Sequence, residues 1–301
     1  MSGEFVASSW SADQAAGLRA LVARPGCRSI SFNGGRGDSG STTLAINLAA
    51  ALAERQRSVI LLDEFEGLSN AASRLRLAAH WQLEHVLRRE ATLADTLIGA
   101  PAGFGILPVA ARPEQLAALN ERELEWLAAE FDSVTGDCDY LLLDSRPATG
   151  AAVPSLSLAA DDVVIIVTNR AESITDAYAT IKLLYTEYAR RDFRVLTNRV
   201  ASLTEAELVF GRIRDVARQY LGDAVKLKLS GYVPEDEKLK RATRLGKTVL
   251  DAFPQTEATQ AFRQLADSML RWKRPPGSGT AGFVYRLVES SRILNDRLER
   301  S

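Results

Sequence analysis

The sequence predicts an α/β fold, a doubly wound, mostly parallel sheet flanked by helices. Three observations predict it. Short β-branched or leucine-rich runs alternate with longer helical stretches, the order that builds a parallel sheet with crossover helices. The runs Val-Ile-Leu-Leu at 59–62, Leu-Leu-Leu at 141–143 and Val-Val-Ile-Ile-Val at 163–167 are apolar without alternation, as strands buried on both faces must be. Residues 33–43 after the first run form a glycine-rich turn leading into a helical stretch.

Taken in order, residues 1–26 hold one short helix, 12–22, and end in the breaker Arg24-Pro25-Gly26. Strands are predicted at 29–33, 58–63, 104–109, 140–144, 163–168, 193–198 and 226–232, and helices at 43–54, 113–131, 173–191, 205–221 and 257–273. These form one domain over 27–273. Residues 274–282, rich in Pro, Gly and Ser, read as a flexible linker. A last helix occupies 283–298, within a C-terminal segment running to residue 301. At 100° per residue, Phe283, Val284, Leu287, Leu294 and Leu298 share one stripe, with Arg286, Glu289, Arg292, Asp296 and Arg297 opposite.

The totals exclude several classes. The 301 residues are 46% hydrophobic and 25% charged, an ordinary globular composition, and the net charge of −1 gives no global reason to bind nucleic acid. Cys27 and Cys138 are far apart and read as buried thiols in a reducing compartment. No basic, then apolar, leader follows Met1, and no apolar run nears the ~20 residues needed to span a bilayer, so the cytoplasm is the expected location. His80 and His85 are five apart, not the i, i+4 pair that shares a helical face, and read as surface histidines rather than a zinc site.

The glycine-rich turn carries the chemistry. Against G-x-x-x-x-G-K-[ST], residues 35–42 supply Gly35, Gly40 and Thr42, but Ser41 stands where the lysine belongs. Such a turn lets backbone N–H groups and a helix dipole surround a phosphate. Thr42 can ligate Mg²⁺; Ser41 carries no charge, and Asp38 adds a carboxylate. On these residues alone, a glycine-rich βα turn without nucleotide is an equal reading.

From the first strand to about residue 270, the order of features resembles the MinD/ParA family of deviant Walker A ATPases, which have a P-loop NTPase fold. That family's extra signature lysine, which acts across a dimer interface, is matched in charge by Arg36. The helix after the loop resembles 42–53. The Walker B strand resembles 139–144, with Asp144 directed to Mg²⁺ through water. Residues 169–182, Thr197-Asn198-Arg199 with its adenine-contacting Asn, and Gly231-Tyr232-Val233-Pro234-Glu235-Asp236 match later motifs. The resemblance implies ATP and Mg²⁺ as ligands, with Gly35, Arg36, Gly37, Gly40, Ser41, Thr42, Thr43, Asn198, Arg199 and Pro234 around the nucleotide. Thr42, Asp63 and Asp144 are the implied metal set.

A second departure lies in 62–70. The family reads Leu-Asp-Ala-Asp-x-Gly-Leu-x-Asn, and its later Asp positions the attacking water. Here Asp63, Gly67, Leu68 and Asn70 keep register, which puts Phe65 at the water site. Alternation points Glu64 and Glu66 away from the direction of residue 65. Because phosphoryl transfer depends on positioning and charge stabilisation, losing both groups is expected to cripple hydrolysis and leave a pseudo-ATPase.

Asp13-Gln14-Ala15-Ala16-Gly17-Leu18-Arg19 resembles the element that opens FlhG (FleN, YlxH), regulators of flagellar number and placement. The resemblance implies an FlhF-like GTPase as partner, engaged by Asp13, Gln14, Leu18 and Arg19. It also implies a homodimer, contacts with the flagellar basal body or a transcription regulator in motility, and peripheral attachment to the inner membrane face by the last helix. Two alternatives stay open for function: an active MinD/ParA-like ATPase switch, and a TadZ/CpaE-like pilus localisation protein. The second is disfavoured because only a helix-sized segment precedes the first strand. For the last helix, docking on its own domain stands beside membrane targeting.

Overall fold

The computed structural model describes residues 26–35, 39–65, 67, 70–109, 113–147, 155–273 and 279–299. Eight strands form one sheet: β1 (Arg28–Asn33), β2 (Val59–Asp63), β3 (Ile98–Gly99), β4 (Gly105–Pro108), β5 (Tyr140–Ser145), β6 (Asp162–Val167), β7 (Asp192–Val200) and β8 (Lys226–Pro234). Their order is β3-β4-β2-β5-β1-β6-β7-β8. All pairs are parallel except β3 with β4. The predicted α/β class is the observed one. The two-residue β3 was not foreseen, because so short an edge pairing has no periodicity to read.

Thirteen helices lie among the described residues: α1 (Ser41–Ala53), α2 (Ala71–Arg74), α3 (Leu83–Leu87), α4 (Leu93–Thr96), α5 (Pro113–Ala117), α6 (Glu121–Thr135), α7 (Ser155–Ala159), α8 (Ala171–Tyr188), α9 (Leu203–Leu221), α10 (Glu237–Leu245), α11 (Val249–Ala252), α12 (Glu257–Leu270) and α13 (Thr280–Glu299). The stretch 113–131, expected as one helix, is two. Asn120 interrupts it, accepting Glu123 N–H at 3.1 Å while the Glu123 carboxylate accepts Asn120 N–H at 2.9 Å. That reciprocal cap starts α6 afresh. His85 is not a free surface histidine: its Nδ1 accepts Gln82 N–H at 3.2 Å and caps α3. Cys27 and Cys138 are buried and are not joined in a disulfide.

One core cluster joins α1 and α12 to the sheet; it holds Leu44, Leu48, Leu52, Ile30, Leu142 and Phe262. α1 is buried along most of its length, which its run of Ala and Leu allows. A second cluster holds Leu141 and Leu143 of β5 with Leu127 and Phe131 of α6, and a third holds β6 and β7 with α8 and α9.

The second cluster also contains Phe283, Val284, Leu287 and Val288, each at most 1% exposed, and the nearby Leu294 is 3% exposed. In the observed conformation the last helix takes the docked alternative, with Phe283, Val284, Leu287 and Leu294 of its apolar stripe covered by its own domain. Phe283 meets the Phe131 ring at 6.3 Å. The charged face is used as well. Arg286 donates to Ala159 O and Asp161, both at 2.8 Å, Arg292 to Leu119 O at 2.7 Å, and Arg297 to Glu187 at 3.0 Å. An amphipathic pattern is the same for a lipid surface and a protein groove. Here the groove left by α5, α6 and α7 receives the helix, and no local sequence signal displays that groove. The side chain of Leu298 lies outside the described residues, and the helix starts at Thr280, inside the expected linker.

Candidate functional site

The strand order reverses at β1: β2 lies to one side across β5, and β6 lies to the other. In open α/β sheets, the crevice at such a point, off the carboxyl ends of the strands, is where ligands bind. The glycine-rich turn leaves β1 there. Asp63 ends β2, pairs in register with Asp144 of β5, and Asp144 in turn pairs with Phe32 of β1. Asn198 and Pro234 lie near the ends of β7 and β8. The structure therefore brings Gly35, Gly40, Ser41, Thr42, Thr43, Asp63, Asp144, Asn198, Arg199 and Pro234 to one sheet edge. Arg36, Gly37 and Asp38 lie outside the described residues, as do Asp13, Gln14, Leu18, Arg19, the 12–22 helix, Glu66 and Leu68.

Gly40 caps α1 with φ +83°, and a Cβ there would stand 2.7 Å from Asn198 Nδ2. A Cβ on Gly35 would stand 2.7 Å from Asp176 of α8. Both positions require glycine, for conformation at one and for space at both. Gly40 has no side chain with which to cap α1, and the first turn of the helix holds no acid, so among the described residues its N-terminal N–H groups are left to face the crevice. The side chain of Asn198 is spent inside the protein: Nδ2 donates to Ser39 O at 2.7 Å and Oδ1 accepts Arg199 N–H at 3.0 Å. It ties β7 to the glycine-rich loop.

The acids share one electrostatic theme. Asp144 is fully buried, and burial, aided by the neighbouring Asp63 carboxylate, pushes its carboxyl up to about 8. The Thr42 and Ser41 hydroxyls and the Arg74 charge oppose that rise, yet among the described residues neither Asp144 oxygen has a partner at hydrogen-bond geometry. Burial raises Asp63 to about 6 against the N–H groups of Ala71 and Phe65 and the Arg74 charge. Burial raises Glu64 to about 7 against the Arg146 N–H. A buried, unpartnered carboxylate beside a threonine hydroxyl is the donor chemistry of a hard cation, so Thr42 and Asp144 fit Mg²⁺. Among the described residues no cluster of three His, Cys, Asp or Glu could hold a metal alone.

A cavity of about 210 Å³ opens beside the loop between Gly40, Thr43, Arg74, Asn198, Arg199 and Pro234. A second, of about 330 Å³, lies between Gly34, Gly35, Pro147 and Asp176. Phe65 is half-buried, and its N–H donates to Asp63 at 3.0 Å. Arg74 was not foreseen at this edge, and Glu64, set aside by alternation as a water-positioning group, is buried there. The uncharged Ser41 was the available signal for Arg74, because it leaves a phosphate loop in need of a cation from elsewhere.

A glycine-rich loop at the switch point, with an acid ending the strand beside it, is the architecture of P-loop nucleotide-binding proteins, and the sheet is that of their MinD-like class. The AAA domain family model matches residues 27–195. The chain is 34% identical to the antiactivator FleN of Pseudomonas aeruginosa over 262 residues, 86% of this chain and 93% of that one. It is 26% identical to the flagellum site-determining protein YlxH of Helicobacter pylori over 86% of this chain and 89% of that one. The MinD cell division protein of Aquifex aeolicus shares the fold, with TM-score 0.63 and 24% identity over 83% of this chain and 99% of that one. The chain belongs to the FleN/YlxH group of the MinD/ParA-like family. No described helix is long and apolar enough to cross a membrane.

Proposed function

We propose that the chain is a nucleotide-binding regulator of flagellar number and placement that acts on an FlhF-like GTPase and hydrolyses ATP slowly or not at all. One observation carries the non-turnover part: the binding frame is kept, with Thr42 beside an unpartnered Asp144, while Ser41 and Phe65 stand at the lysine and water-positioning sites. Thr42 and Asp144 would hold Mg²⁺, with Asp63 next to them. The ion's chemistry would be to neutralise charge on a nucleotide's phosphates. Ser41 can offer a hydroxyl but no charge, and Phe65 offers no acceptor for a water. An occupied site then serves as a state that partners read rather than as a reaction centre.

The flagellar part rests on the similarity to FleN and YlxH, which extends over most of both chains. The GTPase contact is assigned to Asp13, Gln14, Leu18 and Arg19. A homodimer would bring Arg36 toward a second copy's nucleotide. Contact with the inner membrane face through α13 would require that helix to leave its groove. The cytoplasm is the proposed location, and a basal-body component or transcription regulator is a further proposed partner. The test is GTP turnover by an FlhF-like protein with the full chain, with its Gln14→Ala variant and with a peptide of residues 1–25. Stimulation by chain and peptide that Gln14→Ala abolishes supports the proposal. No stimulation by either removes the GTPase from it.

A further inference from the structure

We infer that Arg74 is the cation that replaces the missing phosphate-loop lysine, reaching the nucleotide phosphates from α2 rather than from within the loop. This rests on the nucleotide-binding reading above and names the group that supplies its charge.

The need for such a group follows from charge. A nucleoside di- or triphosphate brings several negative charges to the start of α1. The loop's N–H groups and a dipole worth roughly half a charge are all that the described part of the loop offers, because Ser41 is neutral. Anionic phosphate is held most strongly by charge-assisted donors, and guanidinium is the donor best shaped for it.

Arg74 is placed to fill that need. Its Nη1 donates to Thr43 Oγ1 at 3.2 Å, in the first turn of α1 and two residues past Ser41. It lines the 210 Å³ cavity together with Gly40, Thr43, Asn198 and Pro234. Its position is braced from below. The Asp63 carboxylate accepts the N–H groups of Phe65 and of Ala71, the first residue of α2. Asn70 caps the same helix by accepting Ser73 N–H at 2.7 Å. Ala71 and Ala72 are buried in the main core. The acid ending β2 therefore fixes the short helix that aims the guanidinium.

The same guanidinium favours the charged forms of Asp63 and Asp144, so a purely structural counterion role must be separated from phosphate binding. The two differ in what they respond to. A counterion is needed whatever occupies the cavity. A phosphate ligand matters only when phosphate is present. Thr43 lies on the cavity side of the loop, so Arg74 serves the phosphates nearest the sugar. ATP and ADP then bind with similar affinity, and both gain from Arg74 where adenosine does not.

The experiment is calorimetric titration of ATP and ADP with Mg²⁺, and thermal-shift titration of adenosine, into the full chain and into Arg74→Ala, Arg74→Gln, Arg74→Lys and Arg74→Ala with Ser41→Lys. Expected are an ATP and ADP affinity loss of at least tenfold in Arg74→Ala and no change for adenosine. Arg74→Lys should retain most of the affinity, and the double variant should recover it for ATP. Should Arg74→Ala fold poorly, Arg74→Gln, which keeps a donor for Thr43 without charge, must show the same loss. Unchanged ATP and ADP affinity in a folded Arg74→Ala or Arg74→Gln overturns the inference alone, as does an equal loss for adenosine and ADP. Absence of binding by the unaltered chain overturns the nucleotide-binding reading and the inference with it.

Discussion

The Glu64 carboxylate accepts the backbone N–H of Arg146 at 2.9 Å, tying the residue after β2 to the residue after β5. Both segments border the buried Asp144, and Glu64 itself is 5% exposed. Burial raises its carboxyl from an ordinary 4.5 to about 7. The folded state therefore holds a proton that the unfolded chain releases across that window, and stability falls as pH rises from about 4.5 to 7, then levels off. In metal-free buffer, Glu64→Gln keeps an acceptor for Arg146 and removes the buried charge. It should stabilise the chain by roughly 1–3 kcal/mol at pH 8 and by much less at pH 5. Denaturant unfolding at the two pH values measures this, and an equal effect at both would show that Glu64 titrates normally.

Restoring the lost groups separates binding from turnover. Ser41→Lys should tighten ATP binding and leave hydrolysis near background, because Phe65 still positions no water. Phe65→Asp alone should change neither by much. Only the two together should release phosphate at a measurable rate. Turnover by Ser41→Lys alone would place the water-positioning group elsewhere, with Glu64 the first residue to examine.

Asn198 joins β7 to the phosphate loop through its 2.7 Å bond to Ser39 O. Asn198→Ala leaves that buried carbonyl without its donor, which costs about 1–3 kcal/mol. The melting temperature should fall accordingly. Nucleotide affinity should fall too, because the loop loses its brace. A loss of affinity with unchanged stability would assign Asn198 to ligand contact alone.

Helix α13 is part of the fold in this conformation. Leu287 is fully buried, and Leu287→Glu would put a carboxylate into the second core cluster. A loss of several kcal/mol is expected, since a buried apolar side chain is worth about 1.5–3 kcal/mol and an unpaired buried charge adds to that. Deleting 275–301 should lower the melting temperature for the same reason. Without nucleotide, the intact chain should not sediment with vesicles. Sedimentation lost on Leu287→Glu at unchanged melting temperature would mean that the helix lies on lipid.

The strands could be read because their unalternating apolar runs are dictated by burial on both faces, and Leu141, Leu142 and Leu143 show it residue by residue. The site was legible where a motif fixes backbone geometry, as at Gly40, or where strand register carries a side chain to the sheet edge, as at Asp63 and Asp144. It was not legible where the partner is distant in sequence. Arg74 meets Thr43 across 31 residues and Glu64 meets Arg146 across 82, and neither pairing leaves a local pattern. The short helices between β2 and β4 escaped for a related reason: four or five residues cannot display a 3.6-residue period.

Phosphate release under saturating Mg-ATP, compared between the unaltered chain and Asp144→Asn, shows whether the site turns over. The two should be indistinguishable, with nucleotide bound to the unaltered chain throughout. Turnover by the unaltered chain that Asp144→Asn abolishes would contradict that expectation and make the protein a working ATPase.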